Sequence, residues 1–351
     1  MRMKSQANEM PVDPPYQFIA EGLLAGEVIP FFGAAASAVY RPADEPWQPG
    51  KPFTPFGSEL ATTLATAANY PGADKACKAT LADLMETIKG FAGDVTDEQL
   101  SAALNPVIHK HLASTLQLAF VASWAEHVQG HRRAVDRKLR QSFAVDCQPG
   151  LLHNTLASIE KTQVYVTTNY DDLLEKALGP RKPHLIVDRG DKGLWVGIDG
   201  KSPRPVAATG NELYELLNNP NTQQPSCPIV FKMHGSIDKA DARNDCYLIT
   251  EEDYVDFLGR TGGSYVPPYV LGLIEGKDFL FLGYSLEDWN VRVILRKLLK
   301  RTTPDSVRFW AIVSGREETE HELWEARDLK IYPMDLLVFA QKLSEELAKH
   351  G

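Results

Sequence analysis

The segment Val28–Ser37 reads VIPFFGAAAS: an apolar run, then a glycine, three alanines and a serine. A short apolar run without alternation is typical of a strand that is buried on both faces. The small residues after it predict a tight turn into a helix, where a phosphate group can approach the backbone closely. An ordinary strand-to-helix turn would give the same letters, so this segment alone favours an α/β fold without proving a site.

Further apolar runs extend this pattern along the chain. They are QVYVTT (163–168), HLIVD (184–188), PIVFKM (228–233), DFLFLG (278–283), RFWAIV (308–313) and KIYPM (330–334). Several lack the alternation of a half-exposed strand, which indicates parallel strands in the centre of a sheet. Helical stretches separate most of them. The alternation predicts an α/β fold with a Rossmann-like, doubly wound parallel sheet.

One long stretch interrupts the alternation. Residues 71–150 carry apolar residues at helical spacing and no convincing strand, which predicts an all-helical insertion. We expect the insertion to divide a Rossmann-like domain into residues 15–70 and 151–351, after a disordered lead at residues 1–14.

The parts between and after the later strands are less regular. Residues 189–228 are rich in glycine, asparagine and proline and predict an irregular connection with one short helix at Glu212–Asn218. The C-terminal piece Asp335–His350 has the pattern of an amphipathic helix with Asp335 as its N-cap.

Composition excludes several classes of protein. The net charge of −9 argues against a broad nucleic-acid face. No apolar run is long enough for a transmembrane helix, and the N-terminus lacks the apolar core of a secretory signal. The cysteines, Cys77, Cys147, Cys227 and Cys246, form no CxxC pair, which argues against a zinc ribbon and favours the cytoplasm.

Two more segments carry polar residues at strand ends. TTNYD (167–171) places Asn169 just after a strand and Asp171 at the start of a helix. Both residue types cap helices well, but with Thr168 they also offer donors and an acceptor for an amide, a ribose or a water. KMHGS (232–236) places His234 at the end of its strand, where a histidine is either structural or a general base.

The last segment is FLGYS (281–285). Gly283 permits close approach of the backbone, and Ser285 either caps the following helix or contacts a ribose. The carboxyl ends of parallel strands converge on one crevice. The four segments together therefore predict a single nucleotide site.

In these segments, over about residues 15–340, the chain resembles the sirtuin-like domain of prokaryotic anti-phage defence proteins. GAAAS is similar to the GAG-x-S loop of that family, TTNYD to its asparagine loop, KMHG to its histidine segment and FLGYS to its ribose-binding loop. The resemblance implies NAD as the substrate. It assigns cofactor contact on the phosphate side to Gly33, Ala34 and Ser37, the adenosine side to Gly283 and Ser285, and the nicotinamide ribose to Asn169 and Asp171. His234 would be the catalytic histidine. We also expect Ala35 and Thr168, in the same loops, to bind the cofactor, and Asn169 to take part in catalysis.

Two departures from the family affect the expected activity. Ala35 stands where the family has its second glycine, and its methyl group would be strained if the backbone there had a positive φ. The four-cysteine zinc module of protein-deacylating sirtuins is missing from the sequence. The resemblance therefore implies an NAD glycohydrolase that needs no metal and depletes NAD during infection.

Other functions stay open at this stage. An NAD-dependent protein deacylase is one alternative, and a catalytically weak nucleotide-sensing subunit is the other. We also expect a homo-oligomer without direct nucleic-acid or membrane binding. By the same resemblance, a partner protein such as a HerA-like ATPase or a short Argonaute would supply the trigger.

Overall fold

The computed structural model describes most of the chain. The described residues are 13–42, 45–71, 117–189, 193–201, 203–205, 210–222, 225–259, 266–284, 307–313 and 329–350. The chain divides into two compact units. The first comprises Met1–Pro42, Gln148–Tyr247 and Thr261–Gly351, and the second Ala43–Cys147 and Leu248–Arg260. These bounds differ from the expected insertion at residues 71–150, and that division stays a prediction.

A large sheet forms the centre of the first unit. The strands are β1 Val28–Phe32, β2 Val164–Thr167, β3 His184–Asp188, β4 Leu194–Gly197, β5 Arg204–Pro205, β6 Ile229–Lys232, β7 Gly235–Ser236, β8 Cys246–Tyr247, β9 Asp278–Leu282, β10 Phe309–Val313 and β11 Leu329–Pro333. Among the described residues the order in the sheet is β11-β10-β9-β1-β2-β6-β3-β4-β5. Strands β7 and β8 pair separately.

The predicted parallel sheet is confirmed. All seven runs taken as strands are strands, and every pairing from β11 across to β3 is parallel. Every residue of β1, β2, β6, β9 and β10 is buried, as expected for strands that lie between helices.

The predicted irregular connection at residues 189–228 is partly wrong. It contains β4 and β5, which extend the edge of the sheet in antiparallel pairing. These strands are short and interrupted by glycine and proline, so their sequence carries little signal, and pairing with β3 stabilises them instead. A short helix does lie in this stretch, at Gly210–Leu217, close to its predicted position.

The described α-helices are α1 Tyr16–Ala25, α2 Gly57–Ala67, α3 Leu118–Gln129, α4 Arg133–Ser142, α5 Leu151–Ala157, α6 Leu173–Ala177, α7 Gly210–Leu217, α8 Glu251–Gly259, α9 Pro268–Ile274 and α10 Leu336–Leu347. None of these described helices is long and apolar enough to cross a membrane. Helices α3 and α4 agree with the helical pattern predicted for residues 71–150. Residues 72–116 of that stretch lie outside the described residues.

Helices α1, α5 and α10 share one hydrophobic core with the sheet. Ile19, Leu156 and Phe339 are completely buried there, together with Leu280 of β9. The predicted cap of α10 is confirmed, since the Asp335 carboxylate accepts from the backbone N–H groups of residues 337 and 338 at 2.8 and 3.1 Å. This packing fixes the sheet whose carboxyl edge carries the four predicted segments.

Candidate active site

The four predicted segments lie at the carboxyl ends of four neighbouring strands. In the order β9-β1-β2-β6, these ends are followed by Gly283, Gly33, Thr168 and Met233. From β1 the chain passes to β2, which lies on one side of β1 in the sheet. From β6 it later returns to β9, which lies on the other side of β1. Ligands of open α/β sheets bind at such a change of direction, outside the carboxyl ends of the strands. The structure therefore brings the segments together at the position where a ligand is expected.

Two glycines allow the loops after β1 and β9 to touch backbone to backbone. The N–H of Ala35 donates to the Gly283 carbonyl at 3.1 Å. A Cβ on Gly33 would lie 2.6 Å from that carbonyl oxygen, and a Cβ on Gly283 would lie 2.4 Å from the Ala36 nitrogen. Gly283 also has a φ of +71°, which favours glycine. A side chain at either position would push the loops apart.

Ala35 is not strained. It lies in a 3₁₀ helix, Ala34–Ala38. The described non-glycine residues with a positive φ do not include Ala35. The condition under which its methyl group would strain the backbone, a positive φ, is therefore not met. Its N–H is already bound to Gly283, and contacts from Ala34 and Ala35 to a pyrophosphate stay a prediction.

Asn169, Ser37 and Asp171 form a hydrogen-bonded chain. The Nδ2 of Asn169 donates to the Gly33 carbonyl at 2.9 Å and to the Ser37 hydroxyl at 2.8 Å, and that hydroxyl donates to the Asp171 carboxylate at 2.8 Å. A carbonyl oxygen can only accept, so the amide nitrogen must face Gly33. Both N–H bonds are then used. The Oδ1 of Asn169 is left as the acceptor for a sugar hydroxyl or a water.

The hydroxyl of Thr168 belongs to the frame of this site. It lies 3.1 Å from the Tyr284 hydroxyl, which itself donates to the Phe32 carbonyl at 2.9 Å. Because Tyr284 has a single proton to donate, Thr168 must donate to Tyr284. Tyr284 lies within the predicted segment FLGYS, but nothing in the sequence indicated its role. Ser285, the next residue, lies outside the described residues, and its contact with adenosine stays a prediction.

His234 is buried and uncharged at neutral pH. Only 4% of it is exposed, and burial lowers the pKa of its imidazole to about 3. Its loop is joined to the Asn169 loop by two backbone hydrogen bonds, from Met233 to Thr167 at 2.9 Å and from Ile237 to Tyr170 at 3.1 Å. A neutral imidazole has a nitrogen that can accept a proton.

A buried ion pair contacts the backbone of the loop that carries Asn169. The ammonium of Lys232, 1% exposed, donates to the backbone carbonyl of Asp171 and to the Glu175 carboxylate, the latter at 2.7 Å. Burial raises the pKa of Glu175, and the nearby Lys232 charge opposes that shift. Lys232 lies in the predicted segment KMHGS, but the sequence-based prediction assigned no role to it or to Glu175. A lysine in an otherwise apolar strand was the available signal.

His153, in the first turn of α5, is a second buried histidine that sequence reasoning missed. Its ring stacks on Phe32 at 5.3 Å, and its Nδ1 has no hydrogen-bond partner among the described residues. Burial lowers the pKa of His153 to about 4, against the opposing effect of the Asp171 charge. Nothing in the letters LLHNT distinguishes it from a surface histidine.

Comparison with known families agrees with this geometry. A model of the SIR2-like domain matches residues 163–332, which include the segments after β2, β6 and β9. This part of the chain is similar to a SIR2-like domain. The first segment, after β1, precedes the matched residues, and the structure places it directly against the Asn169 loop through the bonds from Asn169 to Gly33 and Ser37.

The chain also resembles curated proteins at modest identity. The chain is similar to the NAD(+) hydrolase ThsA of Acinetobacter baumannii (strain 532279), with 26% identity over 59% of this chain and 36% of the relative. It is also similar to the NAD(+) hydrolase ThsA of Enterococcus faecium, with 28% identity over 56% of this chain and 38% of the relative. The chain thus spans little more than a third of these relatives. A solved structure from work on Sir2 enzymes aligns with the chain at 13% sequence identity and a TM-score of 0.40. The alignment covers 97% of this chain and 99% of the chain in that structure.

Proposed function

We propose that the protein is an NAD glycohydrolase that cleaves NAD to nicotinamide and ADP-ribose. The observation that carries this proposal is the position of Asn169. Its side chain is held by Gly33 and Ser37 at the carboxyl edge of the sheet, with Oδ1 left to accept. The name of the ThsA relatives supports the same reaction.

The reaction needs a water, a held ribose and a proton acceptor. Nicotinamide leaves with the electron pair of its bond to ribose, and the oxygen of water bonds to the same carbon. The water then loses one proton. In the proposed site the Oδ1 of Asn169 accepts from that water or from a ribose hydroxyl, and the neutral imidazole of His234 takes up the proton.

The cofactor-binding assignments follow the loops. The Gly33–Ser37 loop would lie against the pyrophosphate, and Gly283 and Ser285 would lie on the adenosine side. Gly33 and Gly283 let these two loops lie directly against each other, so both loops can face one bound nucleotide. Thr168 and Asp171 would hold the loop that faces the nicotinamide ribose.

The test is the incubation of the purified chain with NAD, with nicotinamide and ADP-ribose measured by chromatography. We expect equal amounts of the two products. Asn169→Ala should abolish turnover while NAD binding, measured by calorimetry, is weakened much less, because the Asn169 contact matters most as the bond breaks. Asn221→Ala, which changes an exposed asparagine of a distant loop, is the matched control. Loss of NAD binding in Asn169→Ala would make it a binding residue instead.

A catalytically weak, nucleotide-sensing subunit would be favoured if Ala35 strained the first loop. Ala35 lies in a 3₁₀ helix without a positive φ, so its backbone gives no support to that alternative. The protein-deacylase alternative is addressed by the same preparation, because release of nicotinamide without an acylated peptide excludes a requirement for that second substrate.

We further propose a cytoplasmic, oligomeric protein whose activity is controlled by a partner and serves anti-phage defence by depleting NAD. Among the described residues, Cys147, Cys227 and Cys246 form no disulfide, which suits a reducing compartment. A HerA-like ATPase or a short Argonaute is the expected partner class. Light scattering at micromolar concentration tests the oligomer, and a fully active monomer would contradict it. Nicotinamide release with and without each partner tests the trigger.

A further inference from the structure

A mixed cluster of metal-ligand side chains lies at the other end of the sheet from the candidate active site. His184 begins β3, Asp199 lies in the turn after β4, and Cys227 precedes β6. One ligand atom from each lies within 4.8 Å of the other two. The Asp199 carboxylate is 3.7 Å from the Cys227 sulfur and 3.9 Å from Nδ1 of His184.

The hydrogen bonds of His184 decide which nitrogen faces the cluster. Its Nε2 lies 2.8 Å from the Ser226 hydroxyl, and that hydroxyl donates its proton to the Leu217 carbonyl at 3.1 Å. Ser226 must therefore accept from His184, so Nε2 carries the hydrogen and Nδ1 carries the lone pair. A metal-bound histidine is usually held in this way, with its second nitrogen donating to a protein oxygen.

The backbone also positions the cluster before any ion is bound. The N–H of Gly200 donates to the Pro183 carbonyl at 2.9 Å, which ties the Asp199 turn to the residue that precedes His184. The N–H of Asp199 reaches Nδ1 of His184 at 3.3 Å. That bond is long, so a metal can replace it at small cost.

We propose that His184, Asp199 and Cys227 bind a zinc ion. In a tetrahedral zinc site with bonds of about 2.0–2.3 Å, the ligand atoms lie roughly 3.3–3.8 Å apart. The two Asp199 distances, 3.7 and 3.9 Å, are at or near that range, and the His184 and Cys227 atoms, within 4.8 Å, can reach it by closing by about 1 Å. A neutral imidazole, a carboxylate and a thiolate also balance the charge of the ion, and their mixture of nitrogen, oxygen and sulfur suits zinc better than calcium or magnesium.

The accessibility of the cluster suits an ion that enters from solvent. His184 is 1% exposed, whereas the Asp199 side chain is 49% exposed. A water would complete the four ligands on that open side. Burial and the Asp199 charge raise the pKa of the Cys227 thiol, while Lys182 opposes that shift. Zinc would displace the thiol proton as the sulfur–metal bond forms, so one proton leaves the protein for each ion bound.

The experiment uses the full chain, stripped with a chelator and then titrated with Co²⁺ and Zn²⁺ alone. We expect a near-ultraviolet thiolate-to-cobalt charge-transfer band that saturates at one equivalent and is removed by zinc. Cys227→Ser should abolish the band, and Asp199→Asn should weaken zinc binding at least tenfold. Both residues are at least partly exposed, so these variants should fold. Cys246→Ser, which removes a different half-buried thiol, should keep the band.

Thermal unfolding gives an independent readout. Zinc should raise the melting temperature of the wild type and of Cys246→Ser, but not that of Cys227→Ser. An ion that binds the folded state and not the unfolded state stabilises the fold, and Cys227→Ser lacks one of the ligands. The proposal fails if the wild type shows no cobalt–thiolate band, or if the band survives in Cys227→Ser. It also fails if zinc stabilises the wild type and Cys227→Ser equally.

Discussion

At the scale of single residues, burial decides the chemistry of His234. An imidazole in water has a pKa near 6.5 and is partly charged in the cell. At 4% exposure, burial favours the neutral form, so the residue is ready to accept a proton over the whole neutral range. The same lowered pKa makes it a weak base, so the transition state must supply much of the driving force for proton transfer.

His234→Ala should lower NAD cleavage about 10²–10⁴-fold, the usual contribution of a positioned general base. His131→Ala, at an exposed histidine, is the control and should keep wild-type turnover. Because the pKa of His234 is lowered to about 3, kcat/KM should show no acidic limb near pH 6.5. Such a limb, absent in the variant, would show that His234 titrates as an ordinary exposed histidine.

Ala35→Gly tests the relaxed backbone at the first loop. Glycine at a position with ordinary helical φ gains flexibility mainly in the unfolded chain, so the variant should be about 0.4–1 kcal/mol less stable. NAD affinity should not change. Calorimetry and urea unfolding of the two proteins provide the measurements, and several-fold tighter NAD binding by the glycine variant would show that the alanine does restrict the site.

At the scale of elements, direct contacts join the loops after β1, β2, β6 and β9 to one another. Gly33 and Gly283 bring two loops into backbone contact. Lys232, at the end of β6, donates a hydrogen bond to the carbonyl of Asp171 in the loop after β2. The geometry of the site is therefore a property of four neighbouring strands together.

Gly283→Ala should destabilise the protein by more than about 3 kcal/mol and abolish NAD cleavage. Its Cβ would lie 2.4 Å from a backbone nitrogen of the first loop, in addition to the cost of about 1–2 kcal/mol for a positive φ. Gly276→Ala is matched in φ, at +76°, but its Cβ would meet nothing within 4 Å. This variant should lose only the roughly 1–2 kcal/mol of stability that a positive φ costs an alanine, and it should stay active. Equal losses in both variants would mean that contact between the loops is unimportant.

Lys232→Met should cost about 3–5 kcal/mol in urea unfolding, because it leaves the buried Glu175 carboxyl without its cation. Adding Glu175→Leu should recover much of that stability, since the unpaired charge is then gone. Turnover should not recover in the double variant, because the Asp171 carbonyl still lacks its donor. Recovery of both would confine Lys232 to a structural role.

At the scale of the whole molecule, the buried histidines tie stability to pH. His153 and His234 have folded pKa values lowered to about 4 and about 3. Below about pH 6.5 the unfolded chain binds protons at these histidines and the folded chain does not, so acidification favours unfolding.

The free energy of unfolding should therefore fall as the pH is lowered from about 6.5 toward about 4, by up to about 1.4 kcal/mol per pH unit for each histidine. His153→Leu should remove about half of this slope. Urea unfolding at a series of pH values measures it. An unchanged slope in the variant would show that His153 is not held neutral in the fold.

The sequence by itself determined seven of the described strands and the positions of the four candidate segments. Buried parallel strands must be apolar along their whole length, so the seven runs were visible without a structure. Strand ends in a parallel sheet converge, so Gly33, Asn169, His234 and Gly283 could be assigned to one edge from their positions after those runs.

Only the tertiary structure decided how these residues interact. The neutral state of His234 depends on burial by distant parts of the chain. The orientation of the Asn169 amide depends on a carbonyl 136 positions away, and the support from Lys232 on a carboxylate 57 positions away. Strands β4 and β5 likewise exist because β3 offers them a partner. Such properties depend on long-range contacts, which local sequence patterns do not encode.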